Sequence, residues 1–350
     1  MRLDAIGDFI VWSSCAHAYR LLYPKDKFHL VLLGHTVWQE VAKELRIFDE
    51  VIALDRKKYM LDFNYRSNTW DMINKYHYET IIYHTYSREF ASGDLIVRKL
   101  KAKNKIGIKS DNAIDGYFWS RIGSNWYTQI IEPQPNGIHE LNKNAEFIHS
   151  LGLQDFPVIM PSIEIKNCPC DEIDLPANYF ILFPGARIGL RKWNEQNYAE
   201  LAQKITSYTN WQGVICGGKD EKELAQKIID LSGLPLINLC GATSLLQLIG
   251  IIKKAKILVG NETSGIHIAA AVQTPSVCIL GGGHFGRFIP YPDEIISQFK
   301  PLAIFEQMEC FGCNWNCIYQ IGKETTVPCI KNITIDKVWH EIQGKITEIA

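Results

Sequence analysis

The stretch Val259–Gly283, VGNETSGIHIAAAVQTPSVCILGGG, decides the fold. Ile257, Leu258 and Val259 form a short apolar run of the kind that makes a fully covered parallel strand. Gly260 and Asn261 are read as its end. Glu262, Thr263 and Ser264 then stand at the start of a helix over Gly265–Val272, and a second apolar run, Ser276–Leu280, leads into a glycine loop. Strand, polar turn, helix, strand and loop are the repeating unit of a doubly wound α/β sheet. The first turn of a helix has unpaired N–H groups and the positive end of its dipole, which suit an anionic or polyhydroxyl ligand. A merely capped helix reads the same way, so this unit alone names no function.

A second motif adds to it. Phe180-Ile181-Leu182-Phe183 is another buried strand, and it runs into Pro184-Gly185-Ala186-Arg187-Ile188-Gly189-Leu190-Arg191-Lys192-Trp193. Its glycines let backbone approach a ligand closely, and its three cations crowd one short loop. Asn194 is placed to cap a helix over Glu195–Ile205. A glycine-bearing basic turn between strand and helix is a phosphate-binding arrangement; the alternative is a loop of solvated cations. The Walker pattern GxxxxGK[ST] is absent.

The third motif opens the chain: Arg2-Leu3-Asp4-Ala5-Ile6-Gly7-Asp8-Phe9-Ile10-Val11. Gly7 and Asp8 lie where a turn enters a helix continuing to Leu22. A carboxylate at a helix start serves as a cap or, facing a cleft, as a general base. A doubly wound domain should begin with an apolar strand, yet only Met1-Arg2-Leu3 precede the turn. Either that strand is a stub or the sequence starts several residues late.

At 350 residues, 47% hydrophobic and 21% charged, the chain suits two globular domains and excludes disordered or fibrous classes. A net charge of −1 offers no field to recruit nucleic acid. No apolar run is long enough to span a bilayer and no signal peptide is evident, so a cytoplasmic protein is expected. Apolar runs alternate with amphipathic segments in both halves, which predicts two parallel sheets covered by helices. The expected divisions are 1–160, a proline- and charge-rich hinge over 161–178, a second domain over 179–333 and a helix over 334–350. That helix carries Val338, Ile342, Ile346 and Ile349 on one face and is expected to pack back on the first domain.

The RLDAIGDF start, the FPGARIGLRKW loop and the GNETSGIHIAAA segment together resemble the heptosyltransferase-like glycosyltransferases, glycosyltransferase family 9, and the resemblance spans both halves. It implies a GT-B fold, two Rossmann-like domains facing each other across a cleft. It implies metal-independent, inverting transfer of a sugar from a nucleotide-sugar donor, ADP-sugar favoured, to a surface glycan, glycolipid, lipopolysaccharide core or protein. No cofactor is expected for catalysis, and peripheral contact at the inner face of the membrane is compatible with such an acceptor. By the resemblance, Asp8 is the general base. Gly185, Ala186, Arg187 and Lys192 hold the donor diphosphate, and Glu262, Thr263 and Ser264 its ribose and phosphate. His267 matches a histidine usual in that helix. Relatives commonly carry aspartate where Glu262 stands; the longer side chain still accepts ribose hydroxyls. A nucleotide-sugar epimerase and a non-catalytic nucleotide-binding protein are the competing readings. His284, Phe285, Gly286 and Arg287 are candidates for closing over the donor.

Ten cysteines in a chain with no evident export signal argue for thiols rather than a disulfide framework. Cys310, Cys313, Cys317 and Cys329 have chelating spacing in a segment with little core of its own, so a structural zinc or iron is expected; free thiols or a disulfide are the alternative. Cys168 and Cys170, separated by one residue in the hinge, are too tight for ordinary chelation.

Overall fold

The computed structural model describes residues 1–133, 139–166, 169–319 and 326–349; Cys168 lies outside them. The chain divides into two compact units, Met1–Ile159 and Met160–Ala350.

The second unit is built on a six-stranded parallel sheet of β6 (Tyr179–Phe183), β7 (Gln212–Ile215), β8 (Ile237–Asn238), β9 (Ile257–Asn261), β10 (Ser276–Ile279) and β11 (Leu302–Ile304). Their spatial order is β11-β10-β9-β6-β7-β8. Every residue of β6, β9 and β10 is buried, which is why these strands read as continuous apolar runs rather than alternating ones. Gly260 and Asn261 do not end their strand as expected. They continue β9, with Gly260 opposite Phe183 of β6 and Asn261 opposite Ile279 of β10. The basic loop and the acidic turn leave the carboxyl ends of β6 and β9, adjacent strands.

The C-terminal helix, Ile335–Ile349, corrects another expectation. Its buried face of Val338, Ile342 and Ile346 joins the core of the second unit, where it meets the helix Glu195–Thr209 with its buried Leu201, Ala202 and Ile205. An apolar stripe repeating every four residues packs on the nearest complementary stripe, and here its own unit supplies one.

The first unit contains β1 (Val31–His35) paired with β2 (Glu50–Leu54), and β3 (Tyr78–Tyr83), β4 (Ala102–Ile108) and β5 (Gln129–Ile131) in a second parallel group. Residues 1–3 lie between β1 and β3. The Arg2 N–H donates to Leu33 O at 3.0 Å and the Met1 amine donates to Ile82 O at 2.7 Å. Leu3 sits in a core with Leu33, Ile52, Ile81 and Tyr83. This short segment therefore stands where the opening strand was expected. A cavity of about 290 Å3 adjoins it, with Trp12, Tyr19, Val31, Tyr78, Thr80 and His84 in its wall. Among the described residues no helix is long and apolar enough to cross a membrane.

Candidate functional site

The basic loop of the second unit leaves β6 at Phe183 and makes a tight 3-10 turn at Gly189–Arg191 before the helix Glu195–Thr209. Asn194 caps that helix as expected, its Oδ1 accepting from Gln196 N–H at 2.7 Å. Gly185 and Ala186 are buried, Arg187 is exposed, and Arg191 and Lys192 are half-buried. Gly185 lies against the Glu221 carboxylate, which would have to move aside for a Cβ there.

The residue that joins this loop to the acidic turn is Asn261, which sequence reasoning took for a strand breaker. Its side chain is 1% exposed. Its Nδ2 donates to Pro184 O at 2.7 Å and its Oδ1 accepts from Trp193 N–H at 3.1 Å. One amide thus fixes both ends of the basic loop and, through its backbone, the start of the turn. Glu262, Thr263 and Ser264 follow, all half-buried, and the helix Ser264–Ala271 begins there without a side-chain cap. The Ile266 N–H donates to Thr263 O at 3.2 Å, and no cap side chain takes the N–H groups before it, which can meet solvent or a ligand. The Glu262 Oε2 is buried with no hydrogen-bond partner. Burial pushes the carboxyl up to about 8, against the pull of Arg191 and then Arg287. A carboxyl held this way at the end of a strand beside two guanidinium groups has the marks of a functional position. His267 is buried deeper, its Nδ1 3.0 Å from the Tyr291 hydroxyl and its ring stacked on that of Tyr291.

Gly281-Gly282-Gly283-His284-Phe285-Gly286 has GxGxxG spacing but enters a 3-10 turn, Gly282–His284, not the helix that a dinucleotide site requires.

In the first unit, Asp8 stands in the first turn of the helix Ile6–Ala16, half-buried, with Ala5 giving no side-chain cap. Sequence reasoning missed the polar groups around it. Arg2 is buried, forms an ion pair with Asp4, donates to the carbonyl of His84, and lies 3.3 Å from Asp8 O. Asp4 Oδ1 is buried without a partner, and burial raises the Asp4 pKa against the opposing effect of Arg2. His84 is kept neutral by burial. Its Nδ1 accepts from Trp12 Nε1 at 3.2 Å and lies 2.8 Å from the Tyr19 hydroxyl. The charges in RLDAIGDF were visible; His84, 82 residues further on, was not.

Cys310, Cys313, Cys317 and Cys329 line a single small cavity with Trp315 and Gly282. All four are free thiols. Among the described residues no set of three or more histidine, cysteine or acidic side chains is already arranged to hold a metal ion. The donor chemistry of four convergent sulfurs suits a thiophilic ion, while their spacing is not closed around one.

The model of glycosyltransferase family 9 (heptosyltransferase) matches residues 69–311. The chain belongs to that family. The matched span contains the basic loop, the acidic turn and Cys310; Asp8, Cys313, Cys317 and Cys329 lie outside it. Lipopolysaccharide heptosyltransferase 3 of Escherichia coli K12 is 24% identical over 212 residues, covering 58% of this chain and 59% of that protein. Lipopolysaccharide core heptosyltransferase OpsX of Haemophilus influenzae is 26% identical over 214 residues, 58% of each. The chain thus matches about three fifths of the length of these relatives. Among solved structures, E. coli ADP-heptose lps heptosyltransferase II superposes with a TM-score of 0.71 at 16% identity, covering 99% of this chain and 98% of the other. The family 9 glycosyl transferase of Veillonella parvula gives 0.75 at 17%, covering 99% and 97%. At these identities the likeness establishes the fold, GT-B with parallel α/β sheets.

Proposed function

We propose that this protein is an inverting glycosyltransferase that moves a heptose from ADP-heptose to a lipopolysaccharide-core acceptor. The observation that carries the reading is the pairing of a basic, glycine-bearing loop with an acidic turn at the carboxyl ends of adjacent strands, locked by Asn261. Family membership and relatives that bear the name lipopolysaccharide heptosyltransferase support it. A solved structure of similar fold, E. coli heptosyltransferase WaaC with ADP-2-deoxy-2-fluoro heptose, supports the donor.

In this reading Gly185 and Ala186 give the diphosphate a close backbone approach, and Arg187 and Lys192 neutralise it. The open first turn at Thr263 and Ser264 adds N–H donors, and Glu262 accepts from the ribose hydroxyls. His267, paired with Tyr291, supports the helix behind the turn. Asp8 takes the proton from the acceptor hydroxyl as that oxygen attacks the anomeric carbon, and the loop cations stabilise the departing ADP. The anomeric carbon inverts because attack and departure occupy opposite faces. A nucleotide-sugar donor places the activity in the cytoplasm. Cys310, Cys313, Cys317 and Cys329 would hold a structural zinc or iron; saturated by thiolates, such an ion would order the segment and take no part in transfer.

The test is titration with ADP-heptose. Lys192→Ala and Glu262→Ala are each expected to weaken binding more than about tenfold, the loss of one charge-assisted contact. Unchanged titrations for both variants would remove the site.

A further inference from the structure

The cysteine-bearing segment is fastened to the glycine loop that follows β10 and to the basic loop of the donor site. On one side the Gly312 N–H donates to Gly282 O at 2.8 Å and the Asn314 N–H donates to Gly283 O at 2.9 Å. A Cβ on Gly283 would strike the Trp315 ring, and one on Gly282 the Phe311 ring, so the two segments lie in direct contact. On the other side the Val327 N–H donates to Leu190 O at 3.1 Å and the Thr326 hydroxyl to Lys192 O at 3.0 Å. The basic loop is therefore held by one main-chain and one side-chain hydrogen bond from beyond the fold's own sheet.

Between these fastenings lies Trp315. The Arg191 guanidinium sits 4.1 Å from the centre of its ring, within the range of a cation–π contact. Arg191 is the basic-loop residue whose charge acts most strongly on Glu262. Its Nε and the Glu262 Oε2 are both buried without partners, and the two side chains form no ion pair. The guanidinium is thus aimed by the indole, not by the carboxylate. Trp315 also has a positive φ of 64°, directly after Asn314 at 50°. A bulky side chain in the left-handed region is strained, and surroundings that impose such strain are concentrated at functional sites.

We propose that Trp315 is a positioning residue for the donor site, acting through Arg191, which it holds flat and turned toward the donor diphosphate. The inference rests on the donor-site reading above and extends it to the cysteine-bearing segment. A planar, delocalised cation stacks on an indole and presents a fork to phosphate, which an ammonium group cannot do.

The experiment is a double-mutant cycle with ADP as the probe, each variant checked by thermal melting. Trp315→Leu and Arg191→Lys are each expected to weaken ADP binding about tenfold, and the double variant no further than either alone, because both remove one interaction. Trp315→Phe, which retains a ring, is expected to bind within about threefold of wild type. Normal binding by Trp315→Leu, or losses that add in the double variant, would overturn the assignment. If Trp315→Leu fails to fold, Arg191→Lys and Trp315→Phe decide: normal binding by the first, or a tenfold loss in the second, counts against it. Wild-type protein that binds no ADP would overturn the donor reading itself, a separate outcome.

Discussion

The Asn261 side chain accepts a hydrogen bond from the Trp193 N–H, 68 residues earlier in the chain, at 3.1 Å. With the bond from the same amide to Pro184 O, it makes one rigid piece of a loop and a turn that the sequence presents as separate motifs. Asn261→Ala should leave the Trp193 N–H and the Pro184 carbonyl unsatisfied in a buried place, at about 1–3 kcal/mol for each group. Urea unfolding should show that loss, with donor affinity falling beyond what stability explains. A variant as stable as wild type would show that the amide is dispensable.

Glu262 supplies a pH signature. Its folded-state pKa of about 8 lies above that of an unfolded glutamate, so the folded state binds the extra proton across the interval between them. The stability this gives is fully present below the unfolded value and disappears as pH rises toward 8. Glu262→Gln removes the dependence. Melting temperatures should therefore favour the variant progressively from roughly pH 5 to 8, even as its ADP-heptose affinity drops. Parallel melting curves for the two proteins would mean that the carboxyl is already ionised.

What the sequence allowed a reader to see follows from where each signal is stored. β6 was legible because all five of its side chains are buried, leaving an unbroken apolar run. β5 and β11, three residues each, carry too short a pattern to stand out. Asn261 was misread because a polar residue at a strand end has the same letter whether it breaks the strand or bonds across it. The Arg2–Asp4 pair and His84 are brought together by pairing of the chain start with β3, a contact that no local window contains. The C-terminal helix showed its apolar face plainly, but a stripe does not say which surface it will cover.

Asp8 is assigned the base. Asp8→Asn keeps the shape of the helix start while removing its negative charge and its basicity. Turnover should fall at least about a hundredfold with donor affinity nearly unchanged, the split expected of a group that acts only in the transition state. Near-normal turnover would reduce Asp8 to a helix-start residue.

The four clustered cysteines make a compositional prediction. Protein purified under reducing conditions without chelators should carry about one zinc or iron ion per chain, the stoichiometry of a four-thiolate site. Cys313→Ser should release the ion and lower the melting temperature of the second unit. Metal content near zero would leave Cys310, Cys313, Cys317 and Cys329 as thiols.

The central claim is transfer, and one incubation addresses it: wild-type protein with ADP-heptose and a lipopolysaccharide core lacking heptose, followed by mass spectrometry of acceptor and nucleotide. The account predicts an acceptor heavier by one heptose residue, ADP released in equal amount, and an inverted anomeric configuration in the new linkage. Conversion of ADP-heptose into a different nucleotide sugar without acceptor, or an acceptor and donor both recovered unchanged, would contradict it.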